Sequence, residues 1–132
     1  ELSGNGHTVR NLYISSTKND QGLIGLLNTN GKVHDLTVTG SVITTGKDAA
    51  GIVGKAKTKT TIVNCLNRAD VTAASSAAGV VGMADGMVSK AAAAKNAPVI
   101  TGCGNTGTIT ATDEAGCAGG VPCEGRRNEG LL

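Results

Sequence analysis

Hydrophobic and polar positions along this chain return in the same order four times. An apolar run broken by one polar residue reads Thr8-Val9-Arg10-Asn11-Leu12, Lys32-Val33-His34-Asp35-Leu36, Thr61-Ile62-Val63-Asn64-Cys65 and Val99-Ile100-Thr101-Gly102-Cys103. A Gly-apolar-apolar-Gly block follows each run: Gly22 to Gly25, Gly51 to Gly54, Gly79 to Gly82 and, altered, Gly116-Cys117-Ala118-Gly119. The block recurs after 29, 28 and 37 residues. A period of this size predicts one supersecondary unit stacked on itself. Aligned on Leu36, Cys65 and Cys103, the units share a further apolar site at Val42, Val71 and Ile109. Each unit therefore predicts three short strands: at the first run, at this second site and at the Gly block. That is one coil of a right-handed parallel β-helix, an all-β solenoid of about four coils spaced ~4.8 Å apart. The units fall at about 4–31, 32–60, 61–98 and 99–132 of a single domain. Val9, Val33, Ile62 and Ile100 are expected in one inward column.

The glycines suit the bends between faces. Two polar columns belong beside those bends: Asn11, Asp35 and Asn64, and Asn67 over Asn105. Stacked amides satisfy one another and the nearby backbone. Ten extra residues interrupt the third unit within Met83 to Pro98, and its stretch Ser89-Lys90-Ala91-Ala92-Ala93-Ala94-Lys95 predicts a short helix near 84–97 with Ser89 as N-cap.

Composition sharpens this. The only aromatic residue is Tyr13, there are 20 glycines, and Val, Ile, Leu and Ala must fill the interior. Small β-branched side chains fit narrow strands stacked on like neighbours. Charged residues make up 17% and the net charge is +2, without a basic stripe or stacking aromatics, which argues against nucleic acid as a partner. No apolar run approaches the ~18 residues of a membrane span. The chain opens at Glu1 inside what reads as a repeat unit, so it is expected to be part of a longer polypeptide.

Cys65 and Cys103 share one repeat position, and Cys117 takes the place of Leu23, Ile52 and Val80; all three read as small apolar core residues. Cys117 with Cys123, and Cys65 with Cys103, also fall within disulfide reach. No C-x2-C pair exists to suggest zinc.

The search for chemistry returns little. Glycoside hydrolysis needs two carboxyl groups about 5–9.5 Å apart on one face. Asp35, Asp48, Asp70, Asp113 and Glu114 are the candidates. Asp48 and Asp113 lie three residues before a Gly block, but Ser76 holds that place between them. His7 and His34 lie outside any H-E-x-x-H pattern. G-x-S-x-G is absent, and no Gly-rich stretch leads into Lys-Ser or Lys-Thr. Thr37, Thr39, Thr58, Thr60, Thr108 and Thr110 form T-x-T pairs at different repeat positions, so no ice-binding threonine ladder is expected. No catalytic, cofactor-binding or metal-binding residue is assigned.

Gly4-Asn5-Gly6-His7-Thr8-Val9-Arg10-Asn11-Leu12, the Gly22-Leu23-Ile24-Gly25 block with its Gly51 and Gly79 counterparts, and Asn64-Cys65-Leu66-Asn67 resemble the wording of the GLUG-repeat family. The resemblance runs from Gly4 to about Val121. It implies a secreted or cell-surface bacterial setting and hands down no catalytic residues. The expected function is a non-catalytic structural or adhesive module, not an enzyme. Its expected partners are a host protein or glycan, met along a solenoid face or at the 83–98 insertion, and a second copy end to end. Two alternatives are an accessory β-helix domain of an exported enzyme such as an IgA-cleaving metallopeptidase, and a carbohydrate-binding or carbohydrate-processing β-helix.

Overall fold

The computed structural model describes residues 1–85, 96–113 and 116–122. Every regular element among them is a β-strand. In chain order these are β1 (Leu2–Ser16), β2 (Ile24–Leu27), β3 (Lys32–Thr44), β4 (Asp48–Ala50), β5 (Val53–Ala56), β6 (Thr61–Asn67), β7 (Asp70–Ala73), β8 (Ser76–Ala78), β9 (Val81–Ala84), β10 (Val99–Thr101), β11 (Gly104–Asn105), β12 (Ile109–Ala111) and β13 (Cys117–Gly119). The predicted helix lies mostly at 86–95, outside the described residues.

All strand pairs are parallel, and each joins one repeat to the next. The largest sheet runs β10-β6-β3-β7-β12, with β1 on β3 and β11 on β6. Two smaller sheets run β13-β8-β4 and β2-β5-β9. The third unit thus contains four strands, β6 to β9, where the sequence pattern predicted three. The missed strand is alanine-rich, and β4 and β8 are buried along their whole length. A strand without alternation and without large side chains leaves no period-2 signal.

The repeat alignment holds through the middle of the chain. Val33 pairs with Ile62 and Leu36 with Cys65; Val42 pairs with Val71. Ile100 then pairs with Ile62, and Ile109 with Val71. One device explains why residues three apart, Val33 and Leu36 or Ile62 and Cys65, both point inward. Asp35 (φ 57°) and Asn64 (φ 53°) are left-handed, and each resets the alternation of its strand. Asp and Asn tolerate that conformation better than most side chains.

Two expected registers are overturned. In the first unit Val9 pairs with Val38, and Leu2 stands opposite Val33. Asn11 therefore leaves the Asp35–Asn64 column, and its backbone N–H donates to Thr39 Oγ1 (3.3 Å) instead. The cause is two bulges in β1, between Ser3 and His7 and between Val9 and Leu12. The left-handed pair Asn5 and Gly6 lies in the first bulge, opposite Asp35. At the second, Gly40 (φ 132°) packs so close to Leu12 that a Cβ there would meet the Leu12 carbonyl.

In the last unit Cys117 pairs with Ser76, not with Val80. The counterpart of Gly79-Val80-Val81 is Gly120-Val121-Pro122, since Val80 N–H donates to Val121 O (3.2 Å) and Val81 bridges Pro122. Cys117 is thus no substitute for an apolar block residue. Asp113 likewise does not stand in the Asp48 register, where Ser76 and Cys117 follow.

The interior is aliphatic. One cluster gathers Val33, Leu36, Val38, Ile52, Val53, Ile62, Cys65, Val80 and Val81; a second gathers Val42, Ala49, Val71, Ala73 and Ala77. Burial is complete in the two middle units and fades at both ends of the stack, where Leu26 is 43% and Val99 52% exposed.

Candidate functional site

Two groups of polar and sulfur-bearing side chains stand out, and both grow from the stacking. The first begins at the left-handed position of the first strand face. Holding Asp35 at φ 57° turns its carboxylate outward beside the ring of His34. His34 Nδ1 lies 2.7 Å from Asp35 Oδ2, and His34 Nε2 lies 2.9 Å from Glu1 Oε2. One repeat along, Asn64 Nδ2 donates to Asp35 Oδ1 (3.2 Å). The same position in the next repeat is Gly102 (φ 63°), where a Cβ would run into Asn64 Oδ1.

The electrostatics follow. Asp35, and then Glu1, hold the His34 pKa above its ordinary 6.5. The His34 ring, and then the Asn64 amide, hold the Asp35 carboxyl below its ordinary 3.8. An imidazolium clamped by two carboxylates is a good charge partner, but its ring nitrogens are already occupied.

The second group lies one strand residue further on. Cys65 is buried and free, and Cys103, also free, stands above it half-buried. Their sulfurs have matching surroundings: Cys65 Sγ faces the carbonyls of Val63 (3.4 Å) and Val33 (3.9 Å), Cys103 Sγ those of Thr101 (3.3 Å) and Ile62 (3.6 Å). The neighbouring Cys103 thiol, with burial, pushes the Cys65 thiol up, while the Cys65 thiol donating to Cys103 brings that group down to about 7. Cys117 is disulfide-bonded.

Among the described residues, the carboxylates singled out in the sequence do not converge. Asp70 Oδ1 accepts the Thr108 N–H (2.9 Å), and Asp113 Oδ2 accepts the Ser75 hydroxyl (3.3 Å). Asp48 is buried at the start of β4, in register with Ser76. Glu114 lies outside the described residues. Among the described residues, no group of three or more His, Cys, Asp or Glu side chains is placed to hold a metal ion. The threonine pairs also diverge, since Ser41 pairs with Asp70 and Ile43 with Thr72.

Sequence reasoning missed the His34 clamp. Glu1 and His34 are far apart in sequence, and the first-unit bulges set their approach. The adjacent pair His34-Asp35 was the one local sign. The Asn67–Asn105 column, by contrast, is where the repeat placed it, with Asn67 fully buried.

The chain is similar to a stretch of halomucin from Haloquadratum walsbyi (strain DSM 16790 / HBSQ001), 38% identical over 89 residues. That stretch is 65% of this chain and 1% of the length of halomucin. No protein-family model matches the chain. No solved structure matches it significantly. No helix among the described residues is long and apolar enough to cross a membrane.

Proposed function

We propose that this chain is a GLUG-type segment of a secreted or cell-surface protein, coiled as a right-handed parallel β-helix of about four coils. In that reading it is a non-catalytic structural or adhesive module. The observation that carries it is the register: successive repeats pair in parallel in all three sheets, so the described residues stack repeat on repeat and present a regular lateral surface. Asn64 with Asp35, and Asn67 with Asn105, are hydrogen-bonded from repeat to repeat in holding that stack. The likeness to a short stretch of halomucin, whose name speaks of a mucin, supports an extracellular setting. Recognition of a protein or glycan then falls on the lateral faces, where Tyr13 (72% exposed) and Ile43 (43% exposed) stand out.

The test is to present the purified chain to arrays of extracellular proteins and polysaccharides, reading both retention and released product. Retention without turnover, or inertness in both, fits a module of this kind. Release of oligosaccharide that Asp35→Asn abolishes would overturn it and favour a carbohydrate-processing β-helix.

A further inference from the structure

The stacked thiols of Cys65 and Cys103 have no part in the function proposed above, and they are placed for covalent chemistry. Thr101 pairs with Val63 and Gly104 with Leu66, so Cys103, in the short gap between β10 and β11, keeps the same offset and stands over Cys65. Paired parallel strands lie about 4.8 Å apart. That spacing falls within the ~4.4–6.8 Å between Cα atoms that a disulfide spans. The sulfurs share one orientation, each facing the carbonyl two residues back and a carbonyl of the repeat below. They also differ usefully. Cys103 is only partly buried, whereas Cys65 is 1% exposed. Cys117, by contrast, is disulfide-bonded.

We propose that Cys65 and Cys103 form a redox-modifiable staple between adjacent repeats, closed by exchange with a small disulfide such as oxidised glutathione. The Cys103 thiolate attacks one glutathione sulfur, forming a mixed disulfide and expelling the first glutathione as thiolate. The Cys65 thiol then gives up its proton and attacks the Cys103 sulfur of that mixed disulfide, expelling the second glutathione. One S–S bond forms in the protein and one breaks in the oxidant; the two protons end on the two glutathiones. Cys103 is the entry point because it is both the accessible thiol and the one nearer to ionising at neutral pH. The staple ties the half-exposed strands β10 and β11 to β6, at an end of the stack where burial fades.

The test is incubation of the native chain with oxidised glutathione, then non-reducing digestion and mass spectrometry. Expected, when iodoacetamide is applied after unfolding, is the loss of two alkylatable thiols and one cross-linked peptide pair joined through Cys65 and Cys103. Cys65→Val, a replacement matching the aliphatic Leu36 of the same column, is expected to stop at a glutathione adduct on Cys103. Three outcomes in the unsubstituted chain overturn the proposal: both thiols stay alkylatable, the adduct on Cys103 persists, or the new bond joins two molecules. The unsubstituted chain decides the matter even where the variant fails to fold.

Discussion

The side-chain amide of Asn67 donates to the carboxamide oxygen of Asn105 in the next repeat, 2.8 Å away. Each of these amides also closes its own turn. Asn67 Oδ1 accepts the Ala69 N–H (3.1 Å) and its Nδ2 donates to Ala69 O (2.8 Å); Asn105 does the same with Gly107 (3.1 and 3.0 Å). The ladder therefore joins two repeats and satisfies buried backbone that the bend would otherwise strand.

Asn67→Ala deprives the Ala69 N–H and carbonyl of these side-chain partners. At about 1–3 kcal/mol for each of these two groups left unpaired, the expected loss is roughly 2–6 kcal/mol in urea unfolding. Asn105→Ala, at a half-buried site, is expected to lose less. Equal losses would show that the ladder does not depend on burial.

Gly51 is packed against that ladder. A Cβ on it would overlap Asn67 Oδ1 and come within 3.0 Å of the Gly79 carbonyl. Neither group can retreat, because the amide is hydrogen-bonded and buried. Gly51→Ala is expected to cost about 2–3 kcal/mol by overpacking. Gly6→Ala meets open space and bears only the strain of φ 78°, about 1 kcal/mol. Thermal unfolding of the two variants checks the order.

Ile62 is fully buried in the middle of the stack, whereas Ile43 is 43% exposed. Ile62→Ala is expected to cost about 2–5 kcal/mol through the cavity it leaves. Ile43→Ala, on the outer face, should stay within about 1 kcal/mol. Similar losses at both sites would contradict the inward column.

The His34 clamp gives a pH dependence of definite sign. A raised folded pKa means that the contribution of His34 is fully present below about 6.5 and is lost as the pH rises through the folded value. A lowered folded pKa means that the contribution of Asp35 is present above about 3.8 and is lost as the pH falls through the folded value. The contact is therefore strongest between these limits. Proton NMR of the His34 ring should give a midpoint above 6.5, moved down by Asp35→Asn and by added salt. An unchanged midpoint in Asp35→Asn would remove the clamp.

The core was legible wherever strands alternate on a hydrophobic period. Val33 over Ile62, Val42 over Val71 and Cys65 under Cys103 all follow from spacing, because equivalent side chains must stack on equivalent neighbours. The Asn67–Asn105 column was legible for the same reason. Legibility failed in two kinds of place. Ser76-Ala77-Ala78 has no alternation, so its strand was invisible and the next Gly block was misassigned to Gly116. The bulges of β1 insert residues without changing the local motif, so Asn11 was aligned with Asp35 by its chemistry although the backbone puts it elsewhere.

The sequence by itself determined that this chain repeats, that it is built of β-strands, and which aliphatic positions of the middle units face inward. Those facts depend on local spacing and side-chain size, which the order of residues contains outright. Only the tertiary structure decided which residue of the first unit lies over which residue of the second, that Glu1 reaches His34, and that the Cys65 and Cys103 sulfurs turn the same way, each toward the carbonyl two residues back. Each of these depends on register between strands about thirty residues apart. A single extra residue in a bulge shifts that register while leaving every local motif intact.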